Sequence, residues 1–154
     1  MVRVAIALGS NLGDRERTLR AAAAALADAV HDLRLSSFHD TEPFGVGDQP
    51  RFLNAVAIGQ TPLSARDLLA RLLDIEAGFG RERPYAGAPR TLDLDLILYG
   101  DAVIAEPGLE VPHARFRQRR FVLQPLAELA AGWRDPVTGR TVGELLAGLT
   151  KIRE

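Results

Sequence analysis

The chain contains no cysteine. That removes a disulfide framework, a thiolate zinc site and a cysteine nucleophile together. Lysine is almost missing as well, since Lys151 is the single lysine among 19 basic residues. Long apolar runs are missing too. Met1-Val2-Arg3-Val4 passes directly into an alternating pattern, with no signal-peptide h-region and no run of membrane-spanning length. A soluble cytoplasmic protein without a membrane partner is expected. The formal charge of -1 argues against non-specific nucleic-acid binding.

What is present fits one domain spanning residues 1–154, a length that buries about two-thirds of the unfolded surface. A GC-rich genome accounts for much of the arginine and for the alanines between Ala21 and Ala25. It does not account for the grouping of Arg81, Arg83 and Arg90, or of Arg115, Arg117, Arg119 and Arg120. The guanidinium fork matches phosphate oxygens, so two such groups in one small chain suggest a polyphosphate ligand.

The order of elements reads β-α-β-β-α-β followed by helices. Val2, Val4, Ile6 and Leu8 form one face of a first strand, and Asp14 caps a helix carrying Leu19, Ala23, Leu26 and Val30. Residues 33–41 read as a second strand with Leu33, Leu35, Ser37, His39 and Thr41 on one face. Phe52, Asn54, Val56 and Ile58 form one face of a third. Ser64 and Asp67 open a second helix, which Gly78 and Gly80 end. The last third is expected to be helical around Phe121–Leu129 and Val142–Leu149. This is an α+β succession of the ferredoxin-like kind, an antiparallel sheet with helices packed on it and additional C-terminal helices.

The segment Arg90-Thr91-Leu92-Asp93-Leu94-Asp95-Leu96 carries the most chemistry. As a strand it places Leu92, Leu94, Leu96 and Leu98 on one face, and Asp93, Asp95, Ile97 and Tyr99 on the other. Carboxylates in such company are costly unless a cation offsets them. Mg²⁺ favours one or two carboxylates together with substrate phosphates. Residues i and i+2 lie about 6–7 Å apart along a strand. The pair can therefore close on one cation or flank two, as in phosphoryl-transfer sites. The alternative is a strand whose second face is simply wet. Gly9-Ser10-Asn11-Leu12-Gly13-Asp14 lies between a strand and a helix, but lacks the lysine and spacing of a Walker A loop. A tight turn beside the site is the stronger reading.

His113 stands just upstream of the second arginine group. Asn54 sits among apolar strand residues, where its amide can both donate to and accept from a heterocycle edge or a nearby loop. Phe44, Phe52 and Phe121 could stack on a flat ring or belong to the core. An RNA-binding module on the same topology would need exposed aromatics in an RNP1-type strand, which is absent. A small-molecule-sensing domain would not need an acidic pair beside arginines.

Several segments together carry a family likeness. They are Gly9-Ser10-Asn11-Leu12-Gly13, Ser36-Ser37-Phe38 through Thr41-Glu42-Pro43-Phe44-Gly45, Phe52-Leu53-Asn54-Ala55, Pro89-Arg90-Thr91-Leu92-Asp93-Leu94-Asp95, Val111-Pro112-His113 and Arg119-Arg120-Phe121-Val122-Leu123. Over nearly its whole length the chain resembles the 6-hydroxymethyl-7,8-dihydropterin pyrophosphokinases of folate biosynthesis. The resemblance implies transfer of pyrophosphate from ATP to the pterin hydroxymethyl group, with AMP released. It implies two Mg²⁺ ions on Asp93 and Asp95. It assigns the pterin to Thr41, Phe44, Phe52, Asn54 and Phe121. Glu76, Arg81, Arg83, Arg90, His113 and Arg119 fall on the ATP side, with Arg81 and Arg90 also acting in catalysis beside the aspartates. A monomer is expected. Where many members carry Trp-Gly-Pro-Arg, this chain has Gly87-Ala88-Pro89-Arg90, and Ala114 replaces a tyrosine that some members have after the histidine.

Overall fold

A computed structural model describes residues 1–41, 51–79 and 92–153. Phe44, Arg81, Arg83 and Arg90, four of the expected site residues, lie outside the described residues. The strands are β1 (Val2–Ser10), β2 (His31–Leu35), β3 (His39–Thr41), β4 (Phe52–Thr61), β5 (Asp93–Tyr99), β6 (Ile104–Glu106) and β7 (Leu109–Val111). The helices are α1 (Arg15–Leu26), α2 (Ala65–Gly78), α3 (Arg120–Ala130) and α4 (Val142–Arg153), with a 3-10 turn at Phe116–Gln118. The main sheet runs β2-β4-β1-β5, with β3 also on β4, and its pairings are antiparallel. β6 and β7 form a separate hairpin.

Alternation along the strands gives this sheet two cores. Val4, Ile6 and Leu8 of β1, with Leu53, Ala55 and Ala57 of β4, pack with Leu19 and Leu26 of α1 and Leu68 and Leu72 of α2. Ala5, Val56 and Ile58 pack with Phe116, Leu123 and Leu126 beneath α3 and with Val142 and Leu145 of α4. Each fully buried leucine contributes roughly 2 kcal/mol by removal from water, so the helices on both faces hold the sheet between them. The expected helix starts are as read. The Asp14 carboxylate accepts from the Arg17 N–H at 3.2 Å, and the Ser64 hydroxyl accepts from the Asp67 N–H at 3.1 Å. Gly59 allows β2 to approach closely: a Cβ there would stand 2.6 Å from the His31 carbonyl oxygen.

Three strand readings need correction. β1 does not end at Leu8, because Gly9 and Ser10 continue the ladder opposite Asn54 and Leu53. The strand expected over 33–41 is two pieces. At the break, the Ser36 hydroxyl accepts the Val56 N–H at 2.9 Å, so a side chain takes over part of the backbone ladder. Leu33 and Leu35 then face the α1/α2 core, whereas Ser37 reaches Glu128 on α3. The third correction is in β5. Ala5 is opposite Leu98 but Ile6 is opposite Leu96, a bulge that leaves Ile97 as the extra residue. Leu98 therefore joins Ile97 in the α3/α4 core, and Tyr99 turns to the other side, where its hydroxyl donates to the Leu63 carbonyl at 2.6 Å.

The α3–α4 connection is built on Asp135, which is fully buried. Arg117 donates to it from Nε at 2.5 Å and from Nη2 at 2.9 Å, Thr138 Oγ1 donates at 2.7 Å, and the Val137 N–H donates at 3.0 Å. Burial pushes the carboxyl up, but Arg117, Thr138 and the Val137 amide outweigh it and hold the group at about 2 against an ordinary 3.8. The folded carboxyl is the stronger acid, so its contribution is complete above about pH 5 and is lost as pH falls through 3.8 towards 2. Asp135→Asn should cost about 2 kcal/mol of unfolding free energy at pH 7. In urea titrations the gap from the parent should close near pH 2, and a gap of equal size at both pH values would refute this account of the ion pair.

Candidate active site

On the α3 side of the sheet, the registers bring expected site residues into one row. Gly9 of β1 is opposite Asn54 of β4 on one flank and Asp93 of β5 on the other, and His39 of β3 is opposite Asn54. Asp95, opposite Ala7, occupies the next row on the same face. Asp93 and Asp95 are both half-buried, which keeps their carboxylates accessible from an otherwise closed strand. A Cβ at Gly9 would stand 3.0 Å from Asn54 Oδ1 and 3.8 Å from the Phe52 ring, so glycine there leaves the space that the Asn54 amide and Phe52 occupy. The sequence reading placed Gly9 in a turn, and only the register shows it as the floor between the amide and the acid pair.

Asn54 is buried, and its Nδ2 donates to the Thr41 hydroxyl at 2.5 Å. This bond ties β3 to β4 and leaves the amide oxygen pointing over Gly9. Beyond Thr41 a cavity of about 690 Å³ opens between β3 and the start of α3, with Phe38, His39 and Thr41 on one wall and Arg115, Arg119 and Phe121 on the other. The Arg119 guanidinium carbon lies 5.5 Å from the centre of the Phe121 ring, so a cation and an aromatic face meet at the helix entrance. Thr41, Phe121 and Arg119 thus line one cavity, Asn54 joins it through its bond to Thr41, and Phe52 stands beside Gly9.

His113 is held beside the acid strand by the bulge. Its N–H donates to the Ile97 carbonyl at 3.0 Å, and its Nδ1 accepts the Arg115 N–H at 3.3 Å. The neutral ring therefore carries its proton on Nε2. Glu76 of α2 is held against the same strand. It is 2% exposed, and its Oε2 accepts the Leu94 N–H at 2.7 Å. Among the described residues β5 pairs only with β1 within the main sheet, so its outer amides need other partners, and α2 supplies one from this carboxylate. Glu76 thus sits behind the strand that carries Asp93 and Asp95.

One cluster was not anticipated. The Ser37 hydroxyl lies 2.5 and 2.7 Å from the two Glu128 oxygens, and His39 Nε2 lies 3.3 Å from Glu128 Oε1. Burial raises the Glu128 carboxyl, but Ser37 and His39 outweigh it and hold the group below the usual glutamate range. The knot pins β3 against α3 and so fixes the width of the cavity. No sequence signal joins residues this far apart.

The donor set suits a hard divalent cation: two half-buried carboxylates on one strand face, two residues apart. Among the described residues no three His, Cys, Asp or Glu side chains converge on a metal position. Mg²⁺ tolerates this, because water and phosphate oxygens complete its shell. Among the described residues no helix is long and apolar enough to cross a membrane.

Comparison with known proteins points to one family. Residues 5–131 match the model of the family described as 7,8-dihydro-6-hydroxymethylpterin-pyrophosphokinase. A 2-amino-4-hydroxy-6-hydroxymethyldihydropteridine pyrophosphokinase of Pseudomonas aeruginosa is 45% identical over 148 residues, which covers 94% of this chain and 90% of the relative. The Bacillus subtilis protein of the same name is 45% identical over 126 residues, covering 80% and 75%. Among solved structures, an HPPK-DHPS in complex with substrates superposes with a TM-score of 0.78 at 11% identity, over 99% of this chain and 44% of the other. A wild-type Plasmodium falciparum HPPK-DHPS gives 0.75 at 12% identity, over 97% and 45%. At such identities the two structures speak to the fold alone, and the chain spans less than half of each.

Proposed function

The chain belongs to the 7,8-dihydro-6-hydroxymethylpterin-pyrophosphokinase family, and from that premise we propose how its residues divide the work. The enzyme transfers pyrophosphate from ATP to 6-hydroxymethyl-7,8-dihydropterin, giving the pterin diphosphate and AMP, a step of folate biosynthesis. Asp93 and Asp95 hold two Mg²⁺ ions in our reading, supported by their shared face and exposure. When bound, Mg²⁺ neutralises phosphate charge and polarises the oxygens it touches.

The pterin is assigned to the Asn54 end of the row. The Asn54 amide and Thr41 hydroxyl offer donors and acceptors to its edge, while Phe52 and Phe121 flank its faces, with Phe44 completing the set. To the ATP side we assign His113 and Arg119 together with Arg81, Arg83 and Arg90, with Glu76 supporting that side from behind β5. Arg81 and Arg90 are assigned to the transferring phosphates. The acceptor hydroxyl oxygen attacks the β-phosphorus and gives its proton to water, the bond from that phosphorus to the α-phosphate bridge breaks, and AMP carries the bridging oxygen away. The residues contribute positioning and charge neutralisation rather than covalent chemistry. The observation that carries this reading is the row Asn54–Gly9–Asp93, which sets a heterocycle-binding amide one strand away on each side of a glycine from a carboxylate.

We read residues 1–154 as a single pyrophosphokinase domain with ferredoxin-like topology, a reading supported by the order β2-β4-β1-β5. It acts as a cytoplasmic monomer on its two small-molecule substrates, without nucleic-acid or membrane partners. Incubation with Mg²⁺, ATP and the reduced hydroxymethylpterin should release AMP in step with pterin diphosphate, and a chelator should stop it. Release of ADP, or turnover independent of the pterin, would sink the reading.

A further inference from the structure

The arginine-rich turn before α3 is held from the side away from the cavity. In the 3-10 turn Phe116–Gln118, side chains three apart eclipse one another, so Arg115 and Gln118 share a side. Both line the cavity, together with Arg119 at the entrance of α3. The residues between them face the other way. Phe116 is fully buried in the α3/α4 core, and Arg117 reaches back to the α3–α4 connection, its guanidinium carbon 4.9 Å from the Phe116 ring centre. There it meets Asp135 with two nitrogens, at 2.5 and 2.9 Å. The Asp135 carboxylate also accepts from Thr138 and from the Val137 N–H, while its backbone closes a loop with Arg140 and Gly139 at 2.9 and 2.8 Å. Both oxygens of a fully buried carboxylate are thus oriented before Arg117 arrives. Asp135 lies beyond residue 131, where the family match ends.

We propose that Arg117 and Asp135 are positioning residues: their two-pronged contact fixes the 3-10 turn, and through it sets where Arg119 stands on the nucleotide side of the cavity. Phe116 alone anchors the turn by one ring, which resists lifting but not rotation. The planar fork on a buried carboxylate resists both. Among the described residues the pair's hydrogen bonds stay within the turn and the α3–α4 connection, away from β5 and Asn54, so it governs nucleotide binding rather than the transfer step. This inference rests on the assignment of Arg119 to ATP.

The experiment compares Asp135→Asn with Val142→Ala, which trims a fully buried side chain at the same junction and leaves the ion pair intact. Both are studied well below their melting temperatures, by steady-state kinetics and by amide hydrogen exchange. For Asp135→Asn, exchange at the Gln118 and Arg119 amides should accelerate. KM for ATP should rise about fivefold or more, short of the hundredfold that a 1 Å misplacement can cost, with kcat within about twofold. Val142→Ala should leave KM unchanged. Arg117→Lys should fall between parent and Asp135→Asn, because an ammonium restores the charge but not the fork. Unchanged exchange in Asp135→Asn, or an equal KM shift in Val142→Ala, overturns the proposal. So does an unchanged KM in an otherwise active Asp135→Asn. A parent protein that releases no AMP defeats the functional reading instead, so the two failures are distinct.

Discussion

Asp95→Ala should lower kcat by about 10³-fold or more while the melting temperature stays within a few degrees of the parent, since removing one preorganised electrostatic group from an active site costs roughly 10²–10³ and Asp95 also carries metal charge. The fold tolerates the change because Asp95 is half-buried on the α3 face of β5, while Leu94 and Leu96 on the opposite face hold the strand in the core. Asp95→Asn separates shape from charge. It keeps an oxygen at the same place but removes the anion, and a divalent cation held by two carboxylates loses half of its protein charge. The asparagine variant should therefore be nearly as impaired as the alanine one, with its residual activity demanding more Mg²⁺. The measurement is kcat across a Mg²⁺ titration. Near-normal kcat in either variant would overturn the metal assignment.

The parts of this fold that could be read from the chain are those written in local pattern. Asp14 and Ser64 cap helices through their own hydroxyl or carboxylate oxygens, three residues from the amide they accept. The alternation of Val4, Ile6 and Leu8 specifies a buried face without knowledge of any partner. The misreadings come from non-local geometry. Leu98 follows the two-residue period in the sequence, yet a bulge opposite Ala5 and Ile6 reverses its face, and the Ile97 carbonyl there accepts the His113 amide. The split of residues 33–41 depends on Ser36 meeting Val56, again across strands. The same division holds at the site. The acid pair is visible as a motif, and Asn54 stands out as a polar residue in an apolar strand. That one glycine lies between them is a fact of register alone. The Ser37–His39–Glu128 knot and the Arg117–Asp135 pair join distant segments, so no spacing rule could have disclosed either.

Glu76→Ala should cost roughly 1–3 kcal/mol of stability, the desolvation penalty of a buried donor left without its acceptor, and should lower kcat by about 10- to 10²-fold, the scale of a small misplacement at a reacting centre. The reason is where the carboxylate acts. Glu76 Oε2 accepts the N–H of Leu94, and Leu94 is the residue between Asp93 and Asp95. A charge-assisted bond from α2 to that amide holds the outer edge of β5 at the point from which both aspartates project. Truncating Glu76 releases that edge, so the two carboxylates lose their fixed separation, though neither has been altered. The controls follow from the same bond. Glu76→Gln keeps an acceptor oxygen within reach of Leu94 and should retain most of kcat, although it loses the charge. If Glu76 instead served ATP directly through its charge, the glutamine and alanine variants would suffer alike, and the loss would appear in KM for ATP rather than in kcat. Comparing kcat and KM for the two variants distinguishes a residue that holds the acid strand from one that binds nucleotide. A glutamine variant as impaired as the alanine one would remove Glu76 from the support of the metal pair.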